Sequence, residues 1–254
     1  MTTIQQPIVQ AVNLEKHFGG LVAVNNVSLD VYPGEVVGLV GDNGAGKSTL
    51  IKMISGVYRP DNGQILLDGA EVHFATPMEA RQRGIETIYQ DLALCENLDA
   101  PVNIFLGREP FKRTLGFFRV VNRSYMLAES EHVLDQLDIH IPNLNRPIRQ
   151  MSGGQRQAVA IARAVYWNAH LMIMDEPTAA LGVPEQRKVY ELVRTLRERG
   201  VPVIIISHNL QDVFAVADRI VVMRRGRKVG ELITSESTTD EVVGLIVGAA
   251  TAAA

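Results

Sequence analysis

Two hydrophobic periods alternate along the chain. Residues 22–32 ("VAVNNVSLDVY") switch between apolar and polar positions, as half-buried antiparallel strands do. "GEVVGLVG" is a short apolar run closed by glycine, the form of a buried parallel strand. It leads into a glycine-rich loop and a helix over "KSTLIKMISGV". "RPDNGQILLDG" reads as turn, strand, turn, and "GIETIYQ" as a further strand. From Asp91 to about Trp167 the pattern turns mostly helical, broken by "EPFKRTLGFF" and "HIPNLNRPI". Buried strands return in "HLMIMDEP" and "VPVIIISH", separated by a helix over 184–199. "RIVVMRRGRKVGE" predicts a hairpin around Arg225-Gly226, and a last helix is expected after Thr239, with acids in its first turn. The pattern is therefore an α/β core interrupted by a helical insert and then resumed, with no internal repeat and a low-complexity tail, "GAATAAA", expected to fray.

Composition narrows the class. With 254 residues, 46% of them hydrophobic and 21% charged, the chain suits one large domain or one domain with an inserted subdomain. A net charge of −3 argues against a nucleic-acid partner, since binding to the phosphate backbone needs a basic footprint. Cys95 is the only cysteine, so no intramolecular disulfide can form, in keeping with a reducing compartment. The first ten residues carry no signal-peptide pattern, and no apolar run approaches the roughly 20 residues of a spanning helix. Any membrane role is expected to be peripheral, through a partner.

The chemistry begins at "GLVGDNGAGKST", where Gly41, Gly46, Lys47 and Ser48 satisfy G-x-x-x-x-G-K-[ST] between a strand and a helix. Glycines let backbone N–H groups turn inward around phosphate oxygens, and the helix N-terminus adds partial positive charge. Gly41, Asn43, Gly44, Gly46, Lys47, Ser48 and Thr49 are assigned to a nucleotide's phosphates. Lys47 is expected to reach the β- and γ-phosphates and Ser48 to ligate Mg²⁺.

Asp175 and Glu176 close the strand "HLMIMDEP", where open α/β sheets bind ligands. Asp175 suits Mg²⁺. Glu176, expected to point the other way along the strand, suits the general base that polarises the attacking water. Gln90 and His208 end two other predicted strands of the same sheet. A glutamine amide can ligate Mg²⁺ or order the water, and an imidazole can hydrogen-bond the γ-phosphate.

"GDNGAGKST", "YQ", "MSGGQRQ", "LMIMDEP" and "IISH" stand in the order and spacing of ATP-binding cassette (ABC) ATPases, and the resemblance covers almost the whole chain. It implies a P-loop NTPase cassette with a RecA-like core, an antiparallel β subdomain and an inserted helical subdomain. The expected division is one cassette over 1–245, with 1–90 and 167–245 as nucleotide-binding core and β subdomain, 91–166 as the helical subdomain, and 246–254 as tail. In that family the signature serine caps a helix that faces the γ-phosphate of ATP bound to a partner cassette. Ser152, Gly153, Gly154 and Gln155 are accordingly expected to act in trans. The physics agrees, since Ser152 can cap a helix and two glycines, costing about 1 kcal/mol each inside a helix, want a reason. Phe18 matches the family's adenine-stacking aromatic. One departure is plain: the family's S-A-L-D reads Ala179-Ala180-Leu181-Gly182 here, which puts the coupling between sites in doubt.

"AALGVPE", "IYQDLALCENLDAPVNIFLGRE" and "SHNLQDVFAVADRIVVMRRGRKVGE" resemble the carbohydrate-importer branch for ribose-, xylose- or fructose-type sugars. Many members of that branch carry two cassettes; with one cassette and no repeat, a homodimer is implied. The resemblance further implies an integral membrane permease gripped by the segment after Gln90, an extracytoplasmic sugar-binding protein acting indirectly, and a peripheral position on the cytoplasmic face of the inner membrane. Leu92, Leu94, Leu98, Ile104, Phe105 and Leu106 either line the permease groove or pack the helical subdomain, and most are expected to pack. The alternatives are a soluble ABC ATPase acting on ribosomes or DNA, and an importer ATPase for a solute that is not a sugar. The first usually brings tandem cassettes, coiled-coil insertions or basic tails, none of which is read here. A P-loop kinase or ordinary metabolic enzyme is undercut by Ser152–Gln155.

Overall fold

A computed structural model describes residues 6–89, 91–114, 118–167, 169–179 and 181–249. Its elements run β1 (Val9–Phe18), β2 (Leu21–Val31), β3 (Val36–Val40), α1 (Lys47–Ile54), β4 (Asn62–Leu67), β5 (Ala70–Val72), α2 (Pro77–Gln82) and β6 (Ile85–Ile88). Next come α3 (Ala100–Phe105), β7 (Phe111–Thr114), β8 (Phe118–Val121), α4 (Arg123–Gln136) and α5 (Gly153–Tyr166). The chain closes with β9 (Leu171–Asp175), α6 (Val183–Glu198), β10 (Val203–Ile206), α7 (Leu210–Val216), β11 (Arg219–Arg224), β12 (Arg227–Ile233) and α8 (Thr239–Val247).

The central sheet has the order β12-β11-β3-β10-β9-β6, parallel except for β12, which returns antiparallel on β11. Its inner strands are apolar along their middles because both faces are covered, with charged residues only at the ends of β9 and β11, and alternate residues serve different cores. Val37, Leu39, Ile173, Ile204 and Ile206 pack with Leu50 and Ile54 of α1 and with Leu14 and Val27 of the outer sheet. Val36, Val40, Met172, Met174, Val203 and Ile205 pack with residues of α5, α6 and α7. Gly38 lets α7 approach: a Cβ there would stand 2.3 Å from Val213 Cγ1. The second sheet is antiparallel, β2-β1-β4-β5, and presents the alternating face read from "VAVNNVSLDVY".

Three local readings change. The stretch from Asp91 to Trp167 holds a β-hairpin, β7–β8, as well as helices; its exposed strands make no buried stripe that periodicity could have revealed. β1 and the short β5 and α2 went unread as separate elements. The last helix starts at Thr239 itself, because the cap is Thr238, whose hydroxyl accepts the Glu241 N–H while the Glu241 carboxylate accepts the Thr238 N–H.

Within the helical region, α3 is held against the far end of α5. Phe105 is buried against Tyr166 and Trp167, and the Trp167 indole donates to the Ile104 carbonyl at 2.9 Å. With that end anchored, the first turn of α5 lies about 20 Å away along the helix axis.

Candidate functional site

The loop between β3 and α1 is shaped by backbone that only glycine adopts easily. Gly41, Gly44 and Gly46 have φ of +146°, +79° and +101°. At Gly41 a Cβ would lie 2.1 Å from the Met223 carbonyl oxygen, and at Gly46 it would lie 2.5 Å from that of Ala23. Gly46 is also the N-cap of α1 and supplies no side-chain acceptor, so the first N–H groups of the helix stay available to an anion. The hairpin turn between β11 and β12 buttresses the loop: the Gly226 N–H donates to the Ala45 carbonyl at 3.0 Å, and the Asn25 N–H to the Gly226 carbonyl at 2.7 Å.

Lys47 is buried and folds its ammonium back onto the Gly41 and Asp42 carbonyls, at 2.6 and 3.0 Å. Burial lowers its pKa, against the opposing pull of Glu176, Asp175 and Asp42. The cation is thus incompletely compensated, as suits a group awaiting an anion. Phe18, Leu21 and Val22 wall a cleft of about 490 Å³ together with Asn43–Thr49 and Arg225. Phe18 is 43% exposed, and its ring meets Tyr58 edge-on with centroids 5.3 Å apart. It is not a core aromatic; its ring reaches the cleft, with the Lys16 ammonium 5.8 Å from its centroid.

Asp175 ends β9 and pairs in register with Ile206 of β10. Burial first, then the neighbouring Glu176, raise its carboxyl pKa. The expectation that Glu176 continues the strand is corrected: β9 stops at Asp175, and Glu176 takes a left-handed φ of +52°. That turn swings its carboxylate onto the end of the neighbouring strand β10. Oε1 accepts the His208 N–H at 3.0 Å, and Oε2 lies 2.8 Å from His208 Nδ1. A non-glycine residue held in this region stores strain of about 1–3 kcal/mol, a feature that clusters at active sites. Glu176 and His208, 32 positions apart, are therefore brought together. Gln90, expected at the same edge, lies outside the described residues.

Ser152 caps α5 in a reciprocal box: its hydroxyl accepts the Gln155 N–H at 3.3 Å, and Gln155 Oε1 accepts the Ser152 N–H at 3.0 Å. Gln155 is thus partly occupied in capping. None of Ser152–Gln155 lines the phosphate-loop cleft. Ser152, Gly154 and Gln155 border a cavity of about 470 Å³ with Glu185 and Lys188, and Gly153 borders one of about 250 Å³ with Glu176, Leu181 and Leu92. The two glycines also have neighbours in their own chain. A Cβ at Gly153 would stand 2.7 Å from Leu181 Cδ2, and one at Gly154 would stand 3.2 Å from Glu185 Cγ.

Gly182 is the N-cap of α6, and a Cβ there would meet the Glu185 carboxylate at 2.8 Å. An aspartate at 182 would set two carboxylates together. Glycine is an acceptable N-cap, costing only a few tenths of a kcal/mol relative to Asp. Of the six apolar residues after Gln90, Ile104 and Phe105 are buried, Leu92 and Leu94 are half-buried and packed against the core, and Leu98 and Leu106 are exposed.

Sequence reasoning missed the buried Thr178, Ser207 and Asp212 and the half-buried Tyr190, which form a hydrogen-bonded cluster behind Glu176 and His208. One local signal was present. Asn209 followed three residues later by Asp212 is a helix-start pattern, and Asn209 does cap α7. Arg225, read only as a hairpin residue, lines the cleft.

Comparison with known proteins agrees with this geometry. A family model described as ABC transporter matches residues 24–179. The chain is 46% identical over 248 residues to a fructose import ATP-binding protein of Rhizobium meliloti, covering 96% of this chain and 95% of that protein. It is 49% identical over 230 residues to a xylose/arabinose import ATP-binding protein of Sulfolobus acidocaldarius, covering 91% and 90%. A ribose import ATP-binding protein of Escherichia coli O157:H7 is 40% identical over 95% of this chain, which spans only 47% of that longer protein. Among solved structures, the ADP conformation of MJ1267, an ATP-binding cassette of an ABC transporter, superposes with a TM-score of 0.82 at 26% identity, covering 96% of this chain and 99% of that one. The dimeric, post-hydrolysis cassette MJ0796 bound to ADP and Pi gives 0.73 at 26% identity, covering 89% and 98%.

Proposed function

The chain belongs to the ABC transporter family, and from that premise we propose that it is the ATP-hydrolysing, energy-coupling subunit of a membrane importer for a monosaccharide. One juxtaposition carries the reading. A phosphate cradle after β3 and the Glu176–His208 pair stand at the ends of β3, β10 and β9, three neighbouring strands, while the capped glycine start of α5 lies outside the cleft. Relatives whose names specify fructose, xylose/arabinose and ribose import support the sugar class. Among the described residues no helix is long and apolar enough to cross a membrane, which suits a subunit that works through a separate permease at the cytoplasmic face of the inner membrane.

The residues divide the hydrolysis of ATP between them. Phe18 stacks on the adenine, and N–H groups from Gly41 to Thr49 surround the phosphates. Lys47 exchanges the Gly41 and Asp42 carbonyls for β- and γ-phosphate oxygens. Glu176 takes a proton from the attacking water, and the His208 N–H holds one of its oxygens in place. With Nδ1 against Glu176, Nε2 is the ring atom left to meet the γ-phosphate.

The donor set fits Mg²⁺. No group of three or more His, Cys, Asp or Glu that could hold a metal is present among the described residues. Mg²⁺ asks for less, usually one or two protein oxygens with the rest from phosphate and water. The exposed Ser48 hydroxyl and Asp175, whose charge is disfavoured by burial and by Glu176, would supply those oxygens, and Gln90 would be a further ligand. When bound, the ion neutralises charge on the β- and γ-phosphate oxygens.

Ser152–Gln155 of one copy face the γ-phosphate held by a second copy, so two ATP molecules lie between two cassettes. The core with its β subdomain spans 1–90 and 167–245, and the helical subdomain 91–166 carries the signature turn and the permease-facing segment. Closure on ATP and reopening after hydrolysis drive the permease.

Glu176→Gln tests the reading: the variant should bind ATP, hydrolyse it more than about 10²-fold more slowly, and run as a trapped dimer in size-exclusion chromatography with ATP. Near-normal turnover would remove the general-base assignment. Tagged Glu176→Gln protein should also retain a polytopic membrane protein from detergent extract, and recovery with ribosomes instead would favour the soluble class.

A further inference from the structure

Behind the hydrolytic pair lies a carboxylate that the steps above do not use. Asp212, in the first turn of α7, is 2% exposed. Its Oδ2 accepts the Thr178 hydroxyl and the Ser207 hydroxyl, the latter at 3.2 Å. Its Oδ1 accepts the Tyr190 phenol and the Asn209 side-chain amide, the latter at 3.0 Å. The four donors come from four places: the turn after β9, the helix α6, the residue after β10, and the N-cap of α7. Tyr190 is kept a donor, its phenol pushed up to about 12 by burial and then by the Asp212 hydrogen bond and charge. All four are neutral, and no Lys, Arg or His forms an ion pair with Asp212 among the described residues. A buried carboxylate held only by neutral donors is an expensive way to glue four segments together, since apolar packing of the same volume is often as stable.

Ser207 connects this cluster to the reaction. Its hydroxyl oxygen lies 3.2 Å from Asp212 Oδ2 and 3.5 Å from Glu176 Oε2, while the Asn209 N–H donates to it at 3.0 Å. A serine has one hydroxyl hydrogen for two carboxylates. We propose that Asp212 is the positioning residue of the hydrolytic site. It draws the Ser207 hydrogen to itself and anchors the turns that carry Glu176 and His208, so that Glu176 Oε2 is left to His208 and to the attacking water. This rests on Glu176 being the general base. Without the Asp212 acceptor, the Ser207 hydroxyl turns to Glu176 Oε2, competes with the water for that oxygen, and loosens the turn through Thr178. The phosphate loop has no member in this cluster, so nucleotide affinity is untouched.

The test compares Asp212→Asn, Ser207→Ala, Tyr190→Phe and Glu176→Gln in the full-length chain. ATP turnover is divided by the number of sites that bind ATP, at a temperature well below each variant's unfolding midpoint. Asp212→Asn is nearly isosteric but turns an amide N–H₂ against two of the four donors. Its kcat should fall about tenfold to a hundredfold, with KM for ATP within twofold. Ser207→Ala removes the competing hydroxyl, so alone it should cost less than Asp212→Asn, and the double variant should recover kcat relative to Asp212→Asn; no recovery would overturn the competition for Glu176 Oε2. Tyr190→Phe, which spares the Ser207 arm, should cost less. If Asp212 were only structural, binding stoichiometry would drop and kcat per bound site would not. Wild-type kcat per bound site in Asp212→Asn, beside an inactive Glu176→Gln, would overturn the inference alone. Should Asp212→Asn fail to fold, Thr178→Val, which cuts the Asp212 anchor of the turn carrying Glu176, decides by the same criterion. An active Glu176→Gln would remove the general-base reading and this inference with it.

Discussion

Replacing Gly153 by alanine separates two reasons for a glycine at the start of α5. One lies inside the chain: the new Cβ would stand 2.7 Å from Leu181 Cδ2. The other, on the proposed reading, is the close approach of a γ-phosphate bound to a second copy to the backbone N–H groups of the first turn. The energies differ enough to tell them apart. Leu181 is half-buried and the crowded atom is the free end of its side chain, so a rotamer change costing about 0.5–1.5 kcal/mol relieves the contact. Alanine meanwhile improves helix propensity by up to about 1 kcal/mol. The two nearly cancel, and since about 1 kcal/mol moves Tm by only 2–4 °C in a chain of this size, Gly153→Ala should melt within about 4 °C of the parent. Hydrolysis should behave differently. Losing one well-placed donor to a developing oxyanion is worth about 10²–10³ in rate, so steady-state ATPase should fall by that order while nucleotide binding to the monomer is retained. Thermal unfolding, ATP binding at low protein concentration, and phosphate release at high protein concentration read the three quantities. Full turnover in Gly153→Ala would refute the phosphate-approach argument. So would recovery in Gly153→Ala/Leu181→Ala, since the glycine would then serve only its contact with Leu181.

Two further expectations come from the cradle and its acids. Gly41→Ala places a Cβ 2.1 Å from a backbone oxygen at φ +146°, where nothing flexible can yield, so it should cost more than the about 1–3 kcal/mol of backbone strain alone and weaken ATP binding at least tenfold in equilibrium titration. Gly44→Ala, with open space around the same Cβ, is the milder comparison; equal damage in both would count against the steric account. Asp175→Asn concerns pH. Burial, then Glu176, raise this carboxyl above its ordinary 3.8, so the folded chain binds the proton more tightly than the unfolded chain does. Stability therefore falls as pH rises from 3.8 through the raised value, and the penalty is constant above it. Without nucleotide or Mg²⁺, Asp175→Asn should melt higher than the parent at pH 7, with the gap narrowing toward pH 4, and should lose Mg²⁺-dependent hydrolysis. A lower melting point at neutral pH would contradict the linkage.

Local pattern carried a large share of this molecule. The buried strands were legible because a strand covered on both faces must be apolar along its buried length, and β3, β10 and β9 up to Asp175 are. The phosphate loop was legible because its glycines, Lys47 and Ser48 act within one short segment whose backbone conformation they dictate. The capped start of α5 was legible for the same reason, since Ser152 and Gln155 satisfy each other three residues apart. The exposed hairpin β7–β8 was not, because its strands bury no face and leave no periodic trace.

Neighbours across the sheet had to come from the fold. Nothing in "MDEP" or "SHNLQD" alone says that β9 and β10 lie side by side, yet that adjacency joins Glu176 to His208 and sets Ser207 between two carboxylates. The left-handed turn at Glu176, tolerated because the end of β10 holds its carboxylate and backbone, reversed the expected direction of that side chain. Nothing local beyond the Asn209 helix start marks Asp212; only packing closes four donors around it. Residue types and short-range spacing encode each element's own surface and caps. Strand order and buried polar partners arise only when both hydrophobic faces of the sheet are covered at once, since that packing selects which distant segments meet.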